Sequence, residues 1–272
     1  MWGECKKQYY FNYIAKWEGL PGDAGRERLY KLSELQRLAF LKGSLIHESI
    51  KQQINNHKAS RPVNKEIAAA FFLQELRNAR NNKEKIITEC ANGFDVSDDD
   101  FENIEKDGLK QIDNFCKSIW PNYANVECLG NELDDIFSIN DIDVRIRCDF
   151  LAKHNENFIV TDWKTGIEGY DDINESVQIS AYILWVHKKY NVPLEKITGE
   201  IFYLKTGTTN VTKKTQKEIE DVIRLINEGS KEMLSVNSEN DFPASPSMTK
   251  CKGCNFLALC KEGQAMFKNN KN

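Results

Sequence analysis

The residue patterning of this 272-residue chain changes character at Pro121, where a run of helical periods gives way to strands, and that change constrains the fold more than any other feature. Upstream, apolar residues recur three and four positions apart, as they do on one face of a helix. Leu29, Leu32, Leu35, Leu38 and Ala39 make such a face over 26–40. Gly43 opens a second helical stretch that carries His47, and Ile67, Phe71, Leu73 and Leu76 mark a third after Pro62. Asp98, Asp99 and Asp100 supply cap-like acids. Phe101, Ile104, Leu109, Ile112, Phe115, Ile119 and Trp120 then form a long amphipathic helix that ends near Pro121. Downstream, VECLG, ELDDIFSI, DVRIRCDFLA and FIVTDWKT are short, β-branched and partly alternating, which is strand patterning. Asn140-Asp141 predicts a hairpin turn between the second and third, and HNEN is a polar turn between the third and fourth. A helix, NESVQISAYILWVHKKY, then leads to a fifth strand, ITGEIFYLKTG, and a further helix covers 215–234. A strand, a crossover helix and a strand make an α/β core, so the expected fold is such a core with a helical insertion in front.

Composition removes several function classes. Hydrophobic residues at 40% and charged residues at 29% describe a globular chain. The longest apolar run is seven residues, Ile67 to Leu73, far below the roughly 20 a membrane-spanning helix needs. The opening MWGECKKQYYF lacks the apolar stretch of a signal peptide, which predicts a cytoplasmic protein with no membrane partner. A net charge of -4 argues against a protein wrapped in nucleic acid, yet leaves room for a local basic groove around an acidic metal centre.

Two acids carry the chemistry. Asp149 ends the strand DVRIRC-D, and Asp162 stands 13 residues later near the end of FIVT-D, followed by Trp163 and Lys164. Carboxylates at neighbouring strand ends hold hard divalent cations such as Mg2+ or Mn2+. Lys164, two residues past Asp162, projects from the same strand face and can orient a water or stabilise charge on a phosphate. His47 would add a nitrogen ligand. Gln178 and Tyr182, spaced i, i+4, share one helix face just after that strand and could contact a phosphate or orient Lys164. The blander alternatives are a solvated strand end, an ordinary histidine and an ordinary amphipathic helix.

The cysteines are unevenly placed. Cys251, Cys254 and Cys260 read C-x2-C-x5-C near the C-terminus, and Cys5 stands alone near the N-terminus. Three thiolates want a fourth ligand, and Cys5 is the natural donor if the chain ends meet. The triple with a remote partner is an iron–sulfur arrangement; a zinc site and three unrelated thiols are the alternatives. Cys90, Cys116, Cys128 and Cys148 lack metal spacing and read as small buried hydrophobes.

Taken in order, Gly43-x-x-x-His47, Asp149, Asp162-Trp163-Lys164, Gln178-x-x-x-Tyr182 and the four cysteines resemble a RecB-type nuclease of the PD-(D/E)XK superfamily. The branch they resemble is the iron–sulfur one, which includes CRISPR-associated exonucleases and AddB-type nuclease domains. The resemblance implies a restriction-endonuclease-like mixed β-sheet core flanked by helices, with an N-terminal helical insertion and a C-terminal iron–sulfur segment. It implies a single nuclease domain over 1–272, helical to about 120, catalytic over about 121–235, with a cysteine-rich segment at about 245–265 joined to Cys5. It makes His47, Asp149, Asp162 and the Trp163 carbonyl metal ligands and Lys164 the catalytic lysine. Gln178 and Tyr182 become the motif that follows, near the DNA end. Cys5, Cys251, Cys254 and Cys260 would hold a 4Fe-4S cluster, with structural zinc the alternative. Glu127 matches a carboxylate of the first core strand. Arg147-Cys148 stand where members often have glycine before the first aspartate. The implied activity is Mg2+- or Mn2+-dependent hydrolysis of DNA phosphodiesters, as an exonuclease on single-stranded DNA or ends. A helicase or CRISPR-adaptation protein is the implied partner, in repair or antiviral defence. The alternative is a non-catalytic DNA-binding or assembly subunit that retains the fold. No Walker-type motif occurs, so this chain carries no helicase motor.

Overall fold

Five strands lie side by side in the order in which the chain meets them: β1 (Glu127–Ile139), β2 (Ile142–His154), β3 (Asn157–Lys164), β4 (Ile197–Tyr203) and β5 (Thr208–Thr212). They come from a computed structural model that describes residues 2–166, 176–236 and 238–268. The β1–β2, β2–β3 and β4–β5 pairs are antiparallel, and β3 and β4 are parallel. The helix Val177–Tyr190 makes the crossover that a parallel pair requires. The chain divides into two units. One comprises Gly43–Gln74 and Asn103–Met233 and contains the sheet; the other comprises Met1–Lys42, Glu75–Glu102 and Leu234–Asn272.

In the sheet unit, alternation along β3 sends Val160, Asp162 and Lys164 to one face and Thr161 and Trp163 to the other. The first face packs against Val177–Tyr190, where Ile179, Tyr182 and Ile183 join Leu151, Val160 and Ile201 in one core. The second face is aromatic: Trp163 meets the rings of Phe115, Tyr123, Phe150 and Phe202. The helical run from Asp98 reaches Pro121 as its pattern predicts, but only Asp98–Asn114 is regular α-helix. It widens into a π turn at Phe115–Ile119 and tightens into a 3-10 turn at Trp120–Asn122. That change of pitch turns Phe115, Ile119 and Trp120 inward together, all buried. Gly108 in the same helix lets the Phe72 ring lie on the backbone; a Cβ there would sit 2.1 Å from Phe72 Cζ.

Two of the expected strands are one. VECLG and ELDDIFSI form the single strand β1, whose register shifts between Cys128 and Gly130. The bulge absorbs the Gly130-Asn131 break that the sequence presents as a boundary. The hairpin at Asn140-Asp141 forms as expected, with Ile139 opposite Ile142 and Asn140 at φ 55°. TTNVT is too short and polar to carry a strand pattern, yet it forms β5, which among the described residues pairs with β4 alone. The sequence pattern starts the crossover helix at Asn174, but 174 and 175 lie outside the described residues. Within those described it starts at Val177, capped by the Ser176 hydroxyl, which accepts from the Ile179 amide.

In the other unit the expected helix over 26–40 is split. A helix covers Ala24–Ser33, capped by Asp23, and another begins at Leu38. Between them Gln36 bridges Ile87: the Gln36 amide donates to the Ile86 carbonyl at 2.9 Å, and the Thr88 amide donates to the Gln36 carbonyl at 2.9 Å. A partner 50 residues away thus overrides local helix propensity. The two ends of the chain meet here. The Lys7 amide donates to the Pro243 carbonyl, Lys7 Nζ pairs with Glu262 at 3.1 Å, and Lys250 Nζ donates to the Glu4 carbonyl. Segment 238–247 reads as a polar linker, but Phe242 is buried against Tyr10, with Trp2 edge-on to it.

Candidate metal centre

The register of the sheet brings three carboxylates level. Asn131 pairs with Phe150 and Leu133 with Cys148, so Glu132 stands beside Asp149; Phe150 pairs with Thr161, so Asp149 is level with Asp162. Directly opposed residues on antiparallel strands share a face, which aims all three acids one way. Glu132 sits at φ 50°, two residues past the register shift of β1. His47 reaches the same place from the helix Leu38–Lys58. Gly43, one turn earlier, permits that approach: a Cβ on it would stand 3.1 Å from Thr165 Oγ1. An open cavity of about 360 Å³ is lined by Gly43, Ser44, His47, Glu48 and Glu132.

His47 Nδ1 lies 3.1 Å from Glu132 Oε1 and 3.5 Å from Asp149 Oδ1. Its Nε2–H donates to the Trp163 carbonyl at 2.9 Å. A carbonyl only accepts, and so do the carboxylates, so both ring nitrogens carry protons and the ring is a cation. Burial works against that charge. The two carboxylates outweigh it, and the pKa is pushed up to about 10. The imidazolium thus supplies the positive charge that clustered acids demand. Ligand atoms of His47, Glu132 and Asp149 lie within 4.8 Å of one another, a separation at which one ion can bridge them. Carboxylate-rich donors suit hard cations of the Mg2+ or Mn2+ type, so the residues present fit such an ion.

Asp162 sits beside this group on the same face, with its carboxylate engaged by Lys164 and Gln178. Lys164 Nζ pairs with Oδ2 at 2.8 Å, and Gln178 Nε2 donates to Oδ1 at 3.0 Å. Lys164 Nζ also donates to Gln178 Oε1 at 3.1 Å, so one amide holds both members of the pair. Gln178 Nε2 donates in turn to the Tyr182 hydroxyl at 2.7 Å, and that hydroxyl donates to the Arg147 carbonyl. The i, i+4 reading of Gln178 and Tyr182 is therefore realised as a brace, anchored to β2, that holds Asp162 and Lys164. Asp162 is 4% exposed and Asp149 9% exposed, and the Trp163 amide donates to Asp149 Oδ2 at 2.6 Å. Desolvation first, and then the neighbouring Asp149 charge, raise the Asp162 pKa to about 6 despite Lys164.

The structure thus gathers His47, Asp149, Asp162, Trp163, Lys164, Gln178 and Tyr182. It does not bring Glu127 to them. Glu127 pairs with Lys153 near the start of β1 and is exposed. The carboxylate of the first strand is instead Glu132, five residues on. Its signal lay in the sequence, as an acid level with Asp149, but only once VECLG and ELDDIFSI are one strand.

In the other unit, Cys5, Cys251, Cys254 and Cys260 line one cavity with Phe11, Phe256 and Leu257. Burial, with the nearby thiols adding to it, pushes the Cys254 pKa up to about 11. Asn92 Nδ2 donates to the Cys254 carbonyl at 3.0 Å and to the Lys252 carbonyl at 3.1 Å, and Asn255 Nδ2 donates to the Leu35 carbonyl at 2.8 Å. The Gly263 amide donates to Cys260 Sγ at 3.3 Å. Among the described residues no three of these sulfurs lie within 4.8 Å of one another.

The described residues include no helix long and apolar enough to cross a membrane. The profile of the PD-(D/E)XK nuclease superfamily matches residues 2–261, nearly the whole chain. No curated protein matches. Among solved structures, the crystal structure of SSO0001 is 20% identical, covering 59% of this chain and 74% of that chain at a TM-score of 0.31, too loose a superposition to build on.

Proposed function

The chain belongs to the PD-(D/E)XK nuclease superfamily, and from that premise we propose that it is a metal-dependent deoxyribonuclease acting on single-stranded DNA or DNA ends. One observation carries the reading: Glu132, Asp149 and Asp162 stand level on three successive strands, with Lys164 ion-paired to the last. Buried like charges side by side are costly, and a fold keeps them where a cation is to be held. A bound Mg2+ or Mn2+ would polarise the phosphate and lower the pKa of an attacking water. Glu132, Asp149 and His47 would hold it, with Asp162 turning from Lys164 to join them. To serve as a ligand His47 would have to lose its Nδ1 proton, while its Nε2–H bond to the Trp163 carbonyl would fix the ring. Lys164 places its ammonium where negative charge builds on the phosphate, and Gln178 keeps that ammonium beside Asp162. None of these groups reads a base edge, so sequence preference should be weak. The four thiols of Cys5, Cys251, Cys254 and Cys260 are proposed to hold an iron–sulfur cluster; their shared cavity and their C-x2-C-x5-C spacing in sequence support it.

The test is incubation of the full chain with end-labelled single-stranded and duplex DNA, with Mn2+ or with EDTA. Cleavage that requires Mn2+ and vanishes in Asp162→Ala is expected. DNA binding without cleavage would overturn the catalytic reading and leave the non-catalytic subunit.

A further inference from the structure

Every exposed aromatic ring among the described residues lies in one short stretch: Tyr13 at 51%, Trp17 at 55%, Tyr30 at 45% and Phe40 at 61%. The other described phenylalanine, tyrosine and tryptophan rings are buried or half-buried. Three of the four carry a cation. Lys16 Nζ stands 5.4 Å from the Trp17 ring centre and 5.8 Å from that of Tyr30, and the Arg37 guanidinium stands 5.1 Å from that of Phe40. Trp17 and Tyr30 meet edge to face with centroids 5.8 Å apart, so each leaves ring surface to solvent. Residues 1–42 hold eight lysines and arginines against five acids, in a chain whose net charge is -4. An open groove of about 540 Å³ runs along the helix that bears Tyr30 and is lined by Arg28, Lys31 and Lys85, together with Glu27 and Glu34.

We infer that Trp17 and Tyr30, with Lys16 between them, form a stacking platform for unpaired bases of single-stranded DNA. The charge argues for this occupant. A protein partner would be met by apolar surface with charge depleted at its centre, whereas here a cation sits over the rings of an otherwise acidic protein. Base stacking on aromatic faces with basic residues tracking the backbone is how single strands are held without regard to sequence. The inference rests on the reading of DNA as substrate and deepens it: the protein would grip unpaired bases, which a duplex interior does not offer.

The test uses the full chain and a fluorescein-labelled oligothymidine, with anisotropy read in EDTA so that nothing is cut. The double variant Trp17→Ala/Tyr30→Ala is expected to bind about tenfold to a hundredfold more weakly. Trp17→Phe/Tyr30→Phe, which keeps both rings, is expected to bind as wild type does. Hydrolysis of bis(p-nitrophenyl) phosphate with Mn2+, which needs no stacking, should be unchanged in both variants and reports that the metal centre is intact. If wild type cuts DNA and the double variant binds oligothymidine as tightly as wild type, this platform is refuted while the nuclease reading stands. If wild type neither binds nor cuts DNA, both fall together. A wild type that ignores oligothymidine but self-associates, with the double variant monomeric, would assign the rings to a second copy and refute the proposal.

Discussion

Replacing Asp162 with asparagine should make the metal-free protein more stable while destroying its activity. Asp162 is 4% exposed and its pKa is raised to about 6, chiefly by burial and then by the Asp149 charge. The ordinary value is 3.8. A carboxyl with a raised folded pKa favours folding when protonated. Its ionisation therefore costs nothing below the unfolded value, a growing amount as the pH rises through the window between 3.8 and about 6, and the full amount above it. Two pKa units correspond to on the order of 3 kcal/mol, an upper figure because Lys164 and Gln178 readjust around the amide. At roughly 2–4 °C per kcal/mol for a chain of this size, the melting temperature should rise by roughly 5–10 °C. The assay is thermal and urea unfolding of wild type and Asp162→Asn in EDTA, at pH 8 and at pH 4.5. The gap between the two proteins should be large at pH 8 and shrink at pH 4.5, because wild-type Asp162 is then protonated. An Asp162→Asn protein that unfolds at or below the wild-type temperature at pH 8 would refute the idea that like-charge crowding is stored at this site.

Other expectations follow from single contacts. Glu132→Gln should abolish the thermal stabilisation that Mn2+ confers, whereas Glu127→Gln should leave it intact; an equal loss in both would put the metal elsewhere. Gln178→Ala releases Lys164 and Asp162 together and should lower the cleavage rate by about 100-fold, the scale on which small misplacements act, with melting nearly unchanged. Gly108→Ala should destabilise the protein by about 1–3 kcal/mol in urea unfolding, because its Cβ meets the Phe72 ring and the gain in helix propensity does not offset the clash. Wild-type protein purified without oxygen should contain iron and be brown, and Cys254→Ser should lose both iron and colour; stoichiometric zinc in place of iron would contradict the cluster.

What the sequence made legible was whatever depends on residues near one another along the chain. Asp149 and Asp162 were readable because each is an acid set in an apolar strand run, although β2 continues past Asp149 to His154 and does not end there as its pattern predicts, and Lys164 was readable because strand alternation returns it to the face of Asp162. Gln178 and Tyr182 were readable because helices bring i and i+4 together. The grouping of Cys5 with the three late cysteines needed only that the chain ends meet, which Lys7, Glu262 and Pro243 achieve. Features decided by distant partners were illegible. Gln36 leaves its helix to bridge Ile87, Phe242 is buried by Tyr10 and Trp2, and β5 exists only because β4 offers an open edge. Glu132 was hidden for a related reason. The bulge that joins two short patterns into β1 is a property of pairing with β2, and only that pairing sets Glu132 beside Asp149.

The most direct test is the anomalous X-ray signal of Mn2+ in crystals of the full chain. The account predicts a peak within about 2.0–2.6 Å of carboxylate oxygens of Glu132 and Asp149, with Asp162 turned from Lys164 toward the ion. A saturating Mn2+ soak that leaves these carboxylates bare, with His47 still bridging Glu132 and Asp149, would contradict it.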